Sequence, residues 1–133
     1  MHKLSQEKDV VVLDVRSLKE VKEGIIENSI CIGFDGSFAS WVGNLLSYET
    51  KFVVYGTEEQ AKQSITRLFR IGYINVLGHA NFSLQEWKDK NFPVVKPKVV
   101  QEVIEPNTTV LDVRKPGEWK EGIVEGAQLL ELS

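Results

Sequence analysis

The chain has 133 residues, 42% apolar and 26% charged, with 16 Lys and Arg against 19 Asp and Glu for a net charge of −3. That balance offers no broad attraction for nucleic-acid phosphates or anionic lipid, and no apolar run approaches the roughly 20 residues of a membrane span. The first nine residues lack the apolar centre of a secretion signal, and one cysteine, Cys31, allows neither an internal disulfide nor a thiolate zinc cage. A cytoplasmic domain of mixed class, with no nucleic-acid or membrane partner, is expected.

Val10–Val15 is almost entirely β-branched and reads as a buried strand interrupted only by Asp14. Ser17-Leu18-Lys19-Glu20 has the form of a capping box and starts a short helix that stops near Gly24. Ile30-Cys31-Ile32 is a second strand, which would make Cys31 a buried packing residue. Phe38–Leu46 carries Phe38, Trp41, Val42 and Leu45 at helical spacing. Phe52–Tyr55 is a third buried strand, followed at once by a second capping box, Thr57-Glu58-Glu59-Gln60. The helix it opens places Ala61, Ile65, Leu68 and Phe69 on one apolar face and stops at Gly72. Ile74–Leu77 is a short strand, and Ser83-Leu84-Gln85-Glu86 caps a last helix through Trp87. Strands alternating with helices imply parallel crossovers. The fold class is therefore α/β, an open, mostly parallel sheet of four or five strands flanked by helices.

The chain also repeats itself. Val12-Leu13-Asp14-Val15-Arg16 returns 98 residues later as Val110-Leu111-Asp112-Val113-Arg114, and 11 of 21 positions agree between 12–32 and 110–130 without a gap. Residues 1–96 thus form one unit, and 97–133 hold a connector and the first third of another. The seam falls in Phe92–Pro97, where two prolines suggest an extended connector. In the second copy, Thr108–Arg114 reads as a strand and Lys115–Trp119 as the start of a short helix, with Pro116 in its first turn. So small a fragment has no core of its own. It is expected to pack against residues 1–96 or to exchange with a second copy in a homodimer.

Leu13-Asp14-Val15-Arg16, Glu20, and Gly24 to Ser29 resemble the opening of a rhodanese domain. Val53-Val54-Tyr55, Gly72 to Val76, and Trp87 before Pro93-Val94 follow in that family's order, so the resemblance covers 9–95 and, in the second copy, 108–130. It implies a strand ending in a persulfide-carrying cysteine, followed by a loop of backbone N–H groups that holds an anion. Gly56 stands where that cysteine is expected, so the resemblance implies no catalytic residue here. Residues Gly56, Thr57, Glu58, Glu59 and Gln60 form a degenerate version of the loop. The capping box would consume its N–H groups, and Glu58 and Glu59 would meet any incoming anion.

Ile32 to Gly43 and Gly72 to Gly78 are further similar to rhodanese-like units fused to metallo-β-lactamase-fold enzymes, the persulfide dioxygenases and zinc-dependent hydrolases. In those fusions a first unit commonly lacks its cysteine. The expected function is a non-catalytic module of a larger sulfur-metabolism enzyme, inactive by itself and partnered by other domains of the parent. The alternatives are a tandem sulfurtransferase whose active cysteine lies beyond residue 133, near position 154, and a stand-alone interaction module. No cofactor or metal is expected: His79 reads as a surface or turn residue and His2 as part of a frayed end. Asp14 with Arg16, and Asp112 with Arg114, read as structural charge pairs on one strand face. Trp41, Trp87 and Trp119 read as core residues.

Overall fold

The computed structural model describes residues 10–97 and 105–131, which fall into two units, 1–97 and 98–133. The expectation for His2 lies outside the described residues. In the first unit, β1 (Val10–Asp14), β3 (Ile30–Cys31), β4 (Lys51–Tyr55) and β5 (Val76–Ala80) form a parallel sheet in the order β3-β1-β4-β5. Helices α1 (Leu18–Val21), α2 (Phe38–Leu45), α3 (Glu58–Arg70) and α4 (Leu84–Asp89) connect the strands. A separate antiparallel ribbon pairs β2 (Ile25–Ile26) with β6 (Val94–Val95). The seam at Phe92–Pro97 is therefore partly strand, because Val94 and Val95 pair with Ile26 and Ile25 instead of running as a free connector.

The two-residue period of the strands divides the core in two. Leu13, Val15, Phe52 and Val54 face α2 and α3, where they meet Phe38, Val42, Ala61, Leu68 and Tyr73. Val10, Val12, Val53 and Tyr55 face α4 and the ribbon, where they meet Ile26, Trp87 and Phe92. Trp87 anchors this side with edge-on contacts to Tyr55, Phe82 and Phe92 at 5.6, 5.5 and 4.9 Å.

Several elements differ from the sequence reading. The fourth strand is Val76–Ala80 rather than Ile74–Leu77, because the ladder with β4 joins Phe52 to Val76 and then shifts register. That puts His79 on a strand, half-buried, not on a turn. The inward face of α3 is Ala61, Ser64 and Leu68; Phe69 is turned out to 52% exposure, since the sheet meets only a narrow stripe of the helix. Trp41 and Leu45 point away from the core, which α2 touches through Phe38 and Val42. Trp119 is half-buried.

In the second unit, β7 (Leu111–Asp112) pairs in parallel with β8 (Gln128–Leu129), and α5 (Pro116–Trp119) lies between them. The strand is shorter than Thr108–Arg114 because its pairing with β8 spans only two residues.

Truncation should separate the true α3 core from its apparent one. Leu68→Ala is expected to cost about 3 kcal/mol, while Phe69→Ala should stay within about 0.5 kcal/mol, both read from denaturant unfolding.

Candidate functional site

Open parallel sheets bind ligands outside the carboxyl ends of their strands, where the strand order reverses. Here β3 lies on one side of β1 and β4 on the other, so that crevice falls between the ends of β1 and β4. A pocket of about 280 Å³ opens there, lined by Arg16, Glu20 and Glu23, by Tyr55 to Thr57, and by Asn81 to Leu84.

Arg16 lines it, with Nε and Nη2 engaged by the protein. Asp14 and Arg16 are two residues apart on one strand face, so the side chains meet: Nε donates to Asp14 Oδ1 at 2.9 Å and Nη2 to Oδ2 at 2.6 Å. Nη2 also donates to the Gly24 carbonyl at 2.8 Å, and the guanidinium lies 4.5 Å from the centre of the Tyr55 ring. Burial works against the Arg16 charge, but the hydrogen bonds and charge of Asp14 outweigh it and hold the pKa above its ordinary value. Gly24 reaches this position with φ +148°, and a Cβ there would press on Val94 Cγ1 at 3.1 Å and Leu84 Cδ1 at 3.2 Å.

The β4 end supplies Gly56, whose N–H donates to Ala80 O at 3.1 Å and whose carbonyl accepts from His79 Nε2 at 3.0 Å. A Cβ on Gly56 would lie 2.9 Å from Gln60 Oε1 and 3.1 Å from Val15 Cγ2. A side chain there would have to move the end of the Gln60 side chain and shift Val15 by a few tenths of an ångström. Gln60 Oε1 accepts from the Thr57 N–H at 2.9 Å, and the Gln60 N–H donates to Thr57 Oγ1 at 3.3 Å, closing the capping box. Gln60 Nε2 donates to Glu20 Oε2 at 2.9 Å, so the caps of α1 and α3 are joined across the pocket. Glu20 Oε2 also accepts from Ser17 Oγ at 2.6 Å and Ser17 N at 2.9 Å. These bonds, led by the Ser17 hydroxyl, hold the Glu20 carboxyl below its usual range.

The carboxylates at the pocket are therefore Glu20 and Glu23, not Glu58 and Glu59. The helical screw explains the difference: Thr57 and Gln60 share the pocket side, whereas the two residues between them turn outward, exposed, with Glu59 accepting from Gln63. Sequence reading found Gly56 and the cap but missed Glu20, Glu23, Tyr55 and His79. The clue available was Glu20 itself, already marked as the α1 capping acid.

Cys31 is exposed, not buried. It lies on the edge strand opposite Asp14, on the face away from the Ile32 core, in an open cleft that Leu18 and Trp41 also line. Its Sγ sits 3.8 Å from Ser29 Oγ and 3.9 Å from Asp14 Oδ2. Desolvation, and then the Asp14 charge, push its pKa up. Among the described residues, no three His, Cys, Asp or Glu side chains are placed to hold a metal ion. Nor is any helix among them long and apolar enough to cross a membrane.

A family model of the rhodanese-like domain matches residues 1–90. The chain belongs to the rhodanese-like family. Solved structures agree in fold. A rhodanese-like domain from Anabaena sp. is 21% identical with a TM-score of 0.60, covering 68% of this chain and 95% of its own. A rhodanese-related protein from Thermoplasma volcanium is 27% identical with a TM-score of 0.53, covering 68% and 87%. A metallo-β-lactamase from Staphylococcus aureus is 26% identical with a TM-score of 0.51, but the match covers 56% of this chain and only 22% of that one. Among curated proteins no match is found.

Two measurements check this description of the rhodanese-like pocket. Arg16→Ala leaves Asp14 buried without its partner and should destabilise the first unit by about 3 kcal/mol, whereas Arg114→Ala, at the exposed counterpart, should leave unfolding unchanged. Cys31 should react with a disulfide reagent several-fold more slowly than a free thiol at neutral pH despite its exposure, and accelerate as pH rises, because the thiolate is the nucleophile.

Proposed function

We propose that this chain is a non-catalytic rhodanese-like module of a larger sulfur-metabolism protein, where it positions or couples neighbouring domains. The observation that carries this reading is the glycine at the end of β4, which offers no thiol and lies against the Gln60 cap. Sulfur transfer through a persulfide needs a thiol at the strand end and free N–H donors around it. Here the Cβ position abuts Gln60 Oε1 at 2.9 Å, and the Thr57 and Gln60 N–H groups bond within the cap. Arg16 Nε and Nη2 are held by Asp14 and Gly24, and Glu20 and Glu23 give the pocket negative charge. Glu20 and Glu23 would repel an anionic sulfur donor entering this pocket.

The likeness to the S. aureus metallo-β-lactamase supports a parent carrying a domain of that fold. Residues 97–133 fit the connector and first third of a second rhodanese-like repeat, since the pairings Leu111 with Gln128 and Asp112 with Leu129 sit at the same 98-residue offset as Leu13 with Ile30 and Asp14 with Cys31. That repeat also favours a second reading, in which the parent is a tandem sulfurtransferase with its cysteine in the later unit. A cytoplasmic setting suits a chain with one cysteine.

Thiocyanate formation from thiosulfate and cyanide tests the main reading. No turnover is expected from the chain, and none from Gly56→Cys, because the new side chain must first displace Gln60 from its cap. Turnover by the unaltered chain that is lost in Cys31→Ser would make Cys31 the sulfur carrier; turnover that survives Cys31→Ser, or that Gly56→Cys restores, would overturn the blocked-site argument.

A further inference from the structure

One edge of the four-stranded sheet is β3, which pairs only with β1 among the described residues. The Ile32 and Phe34 N–H groups donate inward, to Asp14 O at 2.9 Å and Val15 O at 3.1 Å. Strand alternation therefore turns the backbone groups of Cys31 and Gly33 outward, to the free edge. Exposed edges are usually guarded by charged side chains or by proline. Residues 28–34 contain neither.

Beside this edge lies a cleft of about 550 Å³. Its apolar walls are Leu18 from α1 and Trp41 and Leu45 from α2, which are 72%, 57% and 59% exposed. Trp41 and Leu45 are four residues apart, so they form a second apolar stripe on α2, separate from the Phe38 and Val42 pair that meets the core. A single exposed apolar side chain is ordinary, whereas three lining one cleft along an unpaired strand mark an interaction surface. Asp35 is the one charged residue of the lining, and it has no ion pair among the described residues.

We propose that β3 receives an extended segment of a partner protein, which adds to the sheet as a further strand, packs apolar side chains against Trp41, Leu45 and Leu18, and brings a basic residue to Asp35. Each feature selects part of that occupant. The outward backbone at Cys31 and Gly33 calls for an extended chain, because a helix satisfies its own N–H and C=O groups internally. The walls call for apolar side chains on that strand, and the single acid calls for a cation. A second copy of this chain fits less well. Two-fold pairing centred on Cys31 would turn the Asp35 end of each copy toward the Glu27 end of the other, carboxylate against carboxylate. The inference rests on the reading of the chain as a module that couples domains, and it gives that coupling a surface. The two fail separately: sulfur-transfer turnover would refute the blocked site without touching β3, and failure of strand addition would leave the Gly56 argument standing.

The test titrates the full chain with a fluorescein-labelled peptide, Lys-Thr-Val-Ile-Val-Thr-Lys, followed by anisotropy. Saturable binding is expected, with added hydrogen-exchange protection at the Cys31 and Gly33 amides. Trp41→Ala combined with Leu45→Ala should weaken binding at least about tenfold; both side chains are exposed, so this variant stays folded. N-methylation of the three central peptide amides keeps the apolar side chains but removes the donors, and should also weaken binding at least about tenfold. Replacing both peptide lysines by glutamate should weaken binding to the unaltered chain and strengthen it to Asp35→Lys. Absence of saturable binding, equal binding of the N-methylated peptide, or no effect of the Trp41→Ala and Leu45→Ala pair would overturn the proposal. So would a charge preference that Asp35→Lys does not move. A dimer in solution that the Trp41→Ala and Leu45→Ala pair dissociates would assign the cleft to a second copy and overturn it as well.

Discussion

A buried arginine held by one carboxylate, one carbonyl and one aromatic ring organises the functional end of this domain. Removing a guanidinium and a carboxylate from water is costly, and the cost is offset only when every donor and acceptor is matched. Arg16 offsets much of that cost through Asp14 and Gly24, which take its Nε and Nη2 hydrogens, and through the face of Tyr55. The bond to Gly24 draws the turn after α1 onto the end of the sheet, and the close approach there, with Val94 and Leu84 almost against Gly24, needs a residue without a side chain. That turn delivers β2 to β6, and the ribbon then closes the Trp87 side of the core. One ion pair thus ties the first strand, the first helix and the last strand together.

The same clamp in the second unit shows which part of this arrangement is local. Arg114, Asp112 and Gly122 adopt the same bonds with the Arg114 side chain 41% exposed, against 8% for Arg16. Asp112 has its pKa drawn down to about 2 by the Arg114 hydrogen bond. Residues two and eight apart in sequence set this geometry, and tertiary burial is what turns it from a surface pairing into a fixed wall.

The pocket's electrostatics follow from the caps. Glu20 is the capping acid of α1, and Gln60 the capping amide of α3; each completes its own helix start and then bonds the other at 2.9 Å. The Thr57 and Gln60 N–H groups thus face side chains of the protein. Gly56 is compatible with this closed state because it leaves room for Gln60. The family match to residues 1–90 fits the parallel sheet, and the glycine at the end of β4 lies against the capping side chain of α3.

Local signals carried much of this protein. The capping boxes at Ser17, Thr57 and Ser83 required only residue type and spacing, and all three form. The β-branched runs at Val10 and Phe52, the 98-residue repeat and the glycine at the end of β4 were equally legible, because each is written in consecutive residues. Faces and edges were not. Periodicity marks Trp41, Leu45 and Phe69 as apolar, but only the position of the sheet decides that they point outward. Ile30-Cys31-Ile32 looks buried as a string; Cys31 is exposed because β3 became an edge strand and the pleat turned the sulfur away from the Ile32 core. The pocket acids were misassigned for a similar reason, since Glu58 and Glu59 neighbour Gly56 in sequence while Glu20 and Glu23 neighbour it in space. Sequence determines structure within a turn or a strand, where a few bonds fix the backbone; which surfaces are left uncovered depends on where distant elements pack, and that is settled only by the tertiary fold.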